Sequence, residues 1–448
     1  MKCFKSFDEM LEYRVSVAPD APAFLREKAG EVERVSFLKF RADVLDRAKA
    51  LTLTGKTSLG VLSDGSYEAI VEALAGIRAG LQITMLGANA TPDQITDSDI
   101  DLLWGDDDLK EELAPALTAG VKNGKGRILF FTSGTTSRRK AVVLTEQSLC
   151  ASAYNGGSLL PLEPDDILMC MLPLDHVFGF VCAFLWATSC GAAVALGRGP
   201  RHYFDDCAFF QPTALSAVPM LLGFLLQRRL LNPEMRLVLI GAGDCPPELP
   251  LALKALGKRV SFGYGLTETS SGVALSLGDD PYAMTVCPED RITLGDDGEI
   301  LISAPTCVMQ GYYKDPAATD AVLVNGVLHT GDLGAFDEQG LLHITGRKKE
   351  ILVFSDGTKI FLPEYERDLS GALAGRDFAV VDLSGSPVLV LNGDESERVD
   401  LTIRLASVMK DLPIGRRIKD ICFISEPLPR TATGKIKRWE LQQKVRTV

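Results

Sequence analysis

Short apolar runs recur through the first two thirds of the chain, each bounded by turn-forming residues. TSLGVLS, LQITML, RILFF, DILMCMLPL, AAVALG, TALSAV, RLVLIGAG and RVSFGYG all have this form. Segments of helical pattern lie between them. This alternation predicts an α/β architecture with largely buried sheets. From about Asp290 the texture changes to short strands and turns, RITLGDDGEILIS and GAFDEQGLLHITG, in which Asp-Gly and Gln-Gly pairs predict hairpins. After Arg347 a compact α+β segment follows, with a helix near 398–410 and a strand in KDICFISEPLP. The expected organisation is a large N-terminal domain, 1–346, of α/β subdomains plus a β-rich subdomain. A small α+β domain, 347–448, follows a charged, turn-forming stretch at Gly346–Lys349.

Val177–Leu196 competes with this reading, because it is uncharged over a span long enough to cross a bilayer. Gly179 and the Ser189-Cys190-Gly191 triplet interrupt it. Helix, turn and small-residue strand, buried in a core, is the expected form rather than a membrane span.

Composition narrows the partners. A length of 448 residues with 46% hydrophobic content allows two or three domains. The net charge of −12 argues against nucleic-acid and anionic-membrane partners, so basic clusters read as local anion sites. The ten cysteines contain no C-x-x-C pair and the four histidines stand alone, so no zinc or iron–sulfur spacing exists. The N-terminal MKCFKSFDEMLEYR lacks an apolar signal core, and a reduced cytoplasmic chain is the expectation.

Candidate chemistry starts at FFTSGTTSRRK, Phe130–Lys140. The strand-like runs on both sides make it a strand–loop–strand unit. That excludes the nucleoside triphosphatase P-loop, which runs into a helix. Thr132, Ser133, Gly134, Thr135 and Thr136 offer hydroxyls and accessible backbone N–H groups, and Arg138, Arg139 and Lys140 offset negative charge. A phosphate chain fits this loop; read alone, a polar surface loop with a basic tip fits it as well.

Further stretches change that balance. FTSGTTSRRKAVVLT, PLDHVFG, GAGDCPPEL, GYGLTET, GEILISAP…GYYKDP, HTGDLGAFDEQGLLHITGRKKEI and LPRTATGKIKR occur in this order. Together they resemble the motifs of the adenylate-forming superfamily, which includes acyl- and aryl-CoA synthetases, peptide-synthetase adenylation domains and luciferases. The resemblance runs from about Arg127 to the C-terminus.

It implies ATP, Mg2+ and CoA as cofactors, with a small carboxylic acid as substrate, activated as an acyl adenylate. The meeting of two anions requires cations and oriented dipoles around the α-phosphate. Lys435, a mobile ammonium, would reach the carboxylate and the phosphate, with Thr136 and His176 as further catalytic candidates. Glu268 would hold Mg2+, with Thr267 near the phosphates. Gly241, Ala242 and Gly243, at a strand's carboxyl end, and the aromatic turn Tyr264-Gly265 would form the adenine site. Asp332 would accept both ribose hydroxyls and Arg347 would add a ribose or phosphate contact. Lys349 falls at the family's hinge, about which the small C-terminal domain rotates. His176 in PLDHVFG is more similar to acyl-CoA ligases than to amino-acid-activating domains, so an acid without an α-amine is expected. Phe178, Phe180, Val218, Leu221, Leu222 and 270–273 are the pocket candidates.

Three features depart from the family pattern. Ser137, Arg139 and Ala141 replace the usual glycine, proline and glycine of the phosphate loop; the chain is short, with a region before Arg127 that aligns poorly and a trimmed 268–298 segment; and the C-terminal domain is compact, with few residues for gripping a CoA nucleotide. Two other readings therefore accompany CoA ligation. One is transfer of the adenylate to the phosphopantetheine arm of an acyl carrier protein; the other is a non-catalytic nucleotide-binding relative.

Overall fold

The computed structural model describes residues 2–122, 124–132, 139–243, 245–246, 248–353, 359–373, 375–383, 386–410, 412, 417–430 and 436–447. Among them the continuous apolar runs form two large sheets. A six-stranded sheet has the order Gly311–Tyr312, Ala141–Leu144, Ile128–Phe131, Gln82–Leu86, Ser58–Leu62, Leu102–Trp104. Four of these strands, Ser58–Leu62, Gln82–Leu86, Ile128–Phe131 and Ala141–Leu144, are buried at every position, as expected where both faces are covered.

A fourteen-stranded sheet contains Ile167–Cys170, Ala214–Ala217, Leu237–Ile240 and Arg259–Leu266 as parallel neighbours. Beyond Arg259–Leu266 it continues antiparallel, through Ser271–Ser276 and Met284–Val286 to Leu342–Arg347 and Val327–Phe336. The hairpin texture seen after Asp290 is therefore not a separate sheet. It extends the parallel one and places the 332 and 347 positions near the carboxyl ends of the parallel strands.

Helices cover these sheets, and their starts follow capping rules. Glu146–Leu159 begins at Thr145, whose Oγ1 accepts from the Ser148 N–H while the Ser148 hydroxyl accepts from the Thr145 N–H. Val177–Cys190 is one buried helical run with a π-helical middle, Phe180–Leu185, closed by Gly191 in the left-handed region at φ 87°. It leads into the strand Ala193–Leu196, as the sequence predicts. No helix among the described residues is long and apolar enough to cross a membrane.

After residue 350 the chain forms a two-stranded pair, Ile351–Val353 with Lys359–Phe361, and a three-stranded sheet of Phe378–Asp382, Pro387–Asn392 and Asp420–Ile424. Its buried apolar clusters, built on Leu369, Val380, Leu389 and Leu405 and on Val381, Val390 and Leu441, share no member with the cores before residue 350.

Candidate active site

The stretch met first in the sequence is the connection of an antiparallel pair, Ile128–Phe131 with Ala141–Leu144. Its base is clasped twice. The Thr132 N–H donates to the Lys140 carbonyl at 2.9 Å, and the Lys140 N–H donates to Thr132 Oγ1 at 3.2 Å. Ser133, Gly134, Thr135 and Thr136 lie outside the described residues, as does Ser137.

The Lys140 ammonium sits 4.4 Å from the centroid of the Tyr312 ring. Tyr312 gets there because Gly311–Tyr312 adds to the hairpin edge, pairing with Val142 and Val143. Its hydroxyl donates to Glu268 Oε1 at 2.7 Å. Burial first, and the Glu268 charge second, hold this phenol protonated well above the usual tyrosine range. Glu268 itself lies on a single 3-10 turn, Thr267–Thr269, directly after the strand Arg259–Leu266. Its backbone carbonyl accepts from the Met309 N–H at 2.8 Å, so main chain and side chain are both held. Three segments distant in sequence thus join Lys140, Tyr312 and Glu268 in one chain of contacts.

A second cluster surrounds Asp332. Asp332 lies within the ten-residue strand Val327–Phe336, directly opposite Arg347. Tyr264 likewise stands in a strand, not an aromatic turn. Its hydroxyl donates to Asp332 Oδ2 at 2.9 Å, and burial, then the Asp332 charge, raises the phenol's pKa. Arg347 Nε lies 2.6 Å from Asp332 Oδ1. That contact is an ion pair whose angles do not make a hydrogen bond, so the buried Oδ1 retains unspent accepting capacity. Glu299 supports the strand beside Asp332 by accepting from the Gly331 N–H at 2.8 Å and from Lys348 Nζ at 2.7 Å. Although burial opposes ionisation, these donors keep the Glu299 carboxyl below its ordinary pKa.

The third part is apolar. Gly241 ends Leu237–Ile240, whose last residue pairs with Phe262 of the neighbouring strand. A Cβ at Gly241 would come within 2.8 Å of the Phe178 ring, so the absence of a side chain lets the ring lie against the strand end. Ala242 follows with φ 62° and Gly243 comes next, beside Pro219. Gly265 is demanded by packing, because a Cβ there would fall 1.8 Å from the Ser271 carbonyl oxygen. His176 precedes the helix Val177–Gly179 and is half-buried, and the neighbouring Asp175 carboxylate packs on Gly87 of the other large sheet's loop. Phe180 and Leu222 are core residues. Phe180 is buried among Phe7, Phe130 and Phe184, and Leu222 is buried in the core beneath Pro219–Gln227. One helical turn beyond Phe178, Cys182 lies 3.3 Å from Ser271 Oγ and lines a cavity of about 30 Å3 with Gly272 and Leu239.

The structure therefore brings Thr132, Lys140, Thr267 and Glu268 into one group, and Tyr264, Asp332 and Arg347 into another. Lys435 lies outside the described residues. Tyr312 and Glu299 escaped the sequence reading as site residues. Tyr312 stands in the quoted GYYKDP stretch, but only strand pairing places it beneath Lys140.

Comparison with known proteins bears on this arrangement. The model of the AMP-binding enzyme family matches residues 101–313, which hold the hairpin, Glu268 and Tyr312. A 2-succinylbenzoate–CoA ligase of Bacillus cereus is 28% identical over 97% of this chain and 98% of its own. The chain belongs to the adenylate-forming superfamily. The Humulus lupulus protein named "Probable CoA ligase CCL9" is 31% identical over 69% of this chain, which spans 64% of that protein. The fold is that of the superfamily: ATP-bound MatB from Rhodopseudomonas palustris superposes with a TM-score of 0.82 at 23% identity, covering 98% of both chains. The likeness thus extends ahead of Arg127, where the motifs alone are silent.

Proposed function

We propose that this adenylate-forming enzyme is an AMP-forming carboxylic acid–CoA ligase. The acid's carboxylate oxygen attacks the α-phosphorus of ATP and pyrophosphate leaves. The CoA sulfur then attacks the acyl carbonyl and AMP leaves. The observation that carries the reading is the Lys140–Tyr312–Glu268 chain set beside the buried Asp332, within a fold shared with ATP-bound relatives.

Asp332 Oδ1, buried and without a hydrogen bond, is suited to accept from a ribose hydroxyl, with Arg347 steadying the carboxylate. Tyr264 and the Gly241–Gly243 strand end flank the position for a flat base. Glu268 fits a Mg2+ ion that takes one protein carboxylate and completes its shell from phosphate and water, since no cluster of three ligating side chains occurs among the described residues. When bound, the ion would offset charge on the triphosphate. Lys140 adds a cation at the loop base, and Lys435, from the LPRTATGK motif, is assigned the α-phosphate. The division into 1–346 and a rotating 347–448 domain hinged at Lys349 belongs to the same reading.

The apolar surround of Phe178 and Cys182 fits an acid without an α-amine. CoA is preferred to a carrier protein as acceptor, because the proteins this chain resembles are CoA ligases. Acid-dependent ATP–pyrophosphate exchange over aryl, short, medium and long fatty acids, followed by CoA thioester analysis, tests the proposal. Exchange with one acid class and a CoA thioester product is the expected result. ATP binding without exchange for any acid would overturn it in favour of a non-catalytic relative.

A further inference from the structure

A basic cleft opens at the end of the Ile128–Leu144 hairpin opposite the phosphate loop. Its cavity, about 460 Å3, is lined by Lys5, Lys125, Arg127, Glu146, Gln147 and Gln310 among others. That volume lies within the range of small-molecule sites, roughly 300–1,000 Å3. Arg127 immediately precedes the strand Ile128–Phe131, and Glu146 opens the helix that follows Ala141–Leu144. Four-residue strands place the two ends roughly 13 Å apart, so this cleft is separate from the nucleotide site.

Three cations meet here in a chain of net charge −12. Among the described residues no carboxylate forms an ion pair with the Lys5, Lys125 or Arg127 side chain. The acid next to Lys5 is already engaged: Glu9 Oε1 pairs with Lys2 Nζ at 2.9 Å and its Oε2 accepts the Lys5 N–H at 2.8 Å. Glu146, the one carboxylate in the lining, accepts the Phe7 N–H at 2.8 Å, and burial foremost pushes its pKa up. One of its oxygens is thereby engaged with the backbone. The helix cap is also taken, since Thr145 Oγ1 accepts from Ser148 N–H. The positive potential of the cleft thus comes from three side chains whose mutual repulsion an anion would relieve. The amides of Gln147 and Gln310 supply neutral hydrogen-bonding groups around them.

We propose that this cleft is a second anion site, which binds a compact ligand with at least two negative charges, a phosphate ester or a polycarboxylate. Calorimetric titration with inorganic phosphate and with citrate tests it, on the full chain with saturating Mg-ATP and no acid, so that the nucleotide site is filled. Saturable binding of at least one probe is expected, weakened roughly tenfold or more in Lys125→Gln/Arg127→Gln through loss of charge-assisted hydrogen bonds. Phosphate alone binding assigns the phosphate-ester class, and citrate alone assigns the polycarboxylate class. Unchanged pyrophosphate exchange in the double variant shows that its fold is intact. Absence of saturable binding by either probe, or equal binding in the double variant, overturns the proposal.

Discussion

The Tyr312 hydroxyl donates to Glu268 Oε1 at 2.7 Å across 44 residues of sequence, while the same ring lies under the Lys140 ammonium. One aromatic side chain thus fixes a carboxylate with its edge and a cation with its face. The two groups have opposite charge and both would meet a metal-bound triphosphate, so their separation matters to charge balance at the site.

Tyr312→Phe keeps the ring under Lys140 and removes only the hydrogen bond. A hydrogen bond to a charged group contributes about 1.5–3 kcal/mol, so exchange activity at limiting Mg2+ should fall roughly tenfold or more. A Mg2+ titration of pyrophosphate exchange checks this. Recovery at high Mg2+ is expected; an unchanged Mg2+ requirement would show that Tyr312 does not position Glu268 for the metal.

Asp332→Ala removes the acceptor paired with Arg347 and Tyr264. The KM for ATP should rise about 10- to 100-fold, with the KM of the acid little changed. Steady-state kinetics with each substrate varied separate the two. An equal rise in both constants would indicate collapse of the strand pair instead.

Gly241→Ala places a methyl group 2.8 Å from the Phe178 ring. The ring must move, at about 1–3 kcal/mol of overpacking, and adenylation should fall with it. Adding Phe178→Leu should restore part of the activity. If the double variant is no better than Gly241→Ala, the ring contact is not the cause.

Lys435→Ala should slow adenylation by roughly 10²- to 10³-fold, the usual cost of one transition-state donor. Thioester formation from a supplied acyl adenylate should be much less affected. Single-turnover measurements of the two half-reactions distinguish this from a general loss of folding, which would slow both.

Asp290 gives a pH dependence of stability. Burial foremost pushes its carboxyl up to about 7, against about 3.9 for an ordinary aspartate. Between those values the folded chain holds a proton that the unfolded chain has released, so stability falls as pH rises through the window and levels off above it. Asp290→Asn keeps a neutral group beside Asn155, whose Nδ2 donates to Asp290 Oδ2 at 3.2 Å. The variant should be more stable than its parent at pH 8 by on the order of 4 kcal/mol, with the gap closing toward pH 4. Denaturant melts across this range measure it, and a gap independent of pH would contradict the raised carboxyl.

Local pattern was enough to predict the elements themselves. Runs such as RILFF and RLVLI are continuous apolar stretches, and they became strands buried on both faces because only that environment accepts them. The helix, turn and strand of Val177–Leu196 were legible because Gly191 supplies the left-handed cap that ends the helix. The phosphate-loop hairpin and the order of the motifs also stood in the sequence, since each motif is local. Partnership was not legible. Tyr312 meets Glu268 through a two-residue strand added to a hairpin edge, and Asp332 meets Arg347 through the register of an antiparallel pair. Glu299 holds Gly331 from a third strand. Such contacts depend on strand order and register, which are set by the packing of the whole sheet and leave no local trace in composition or spacing. The sequence by itself determined the strands, the helices and the candidate nucleotide-binding residues; the tertiary structure decided which of those candidates touch, because burial and register select partners only once the sheet has formed.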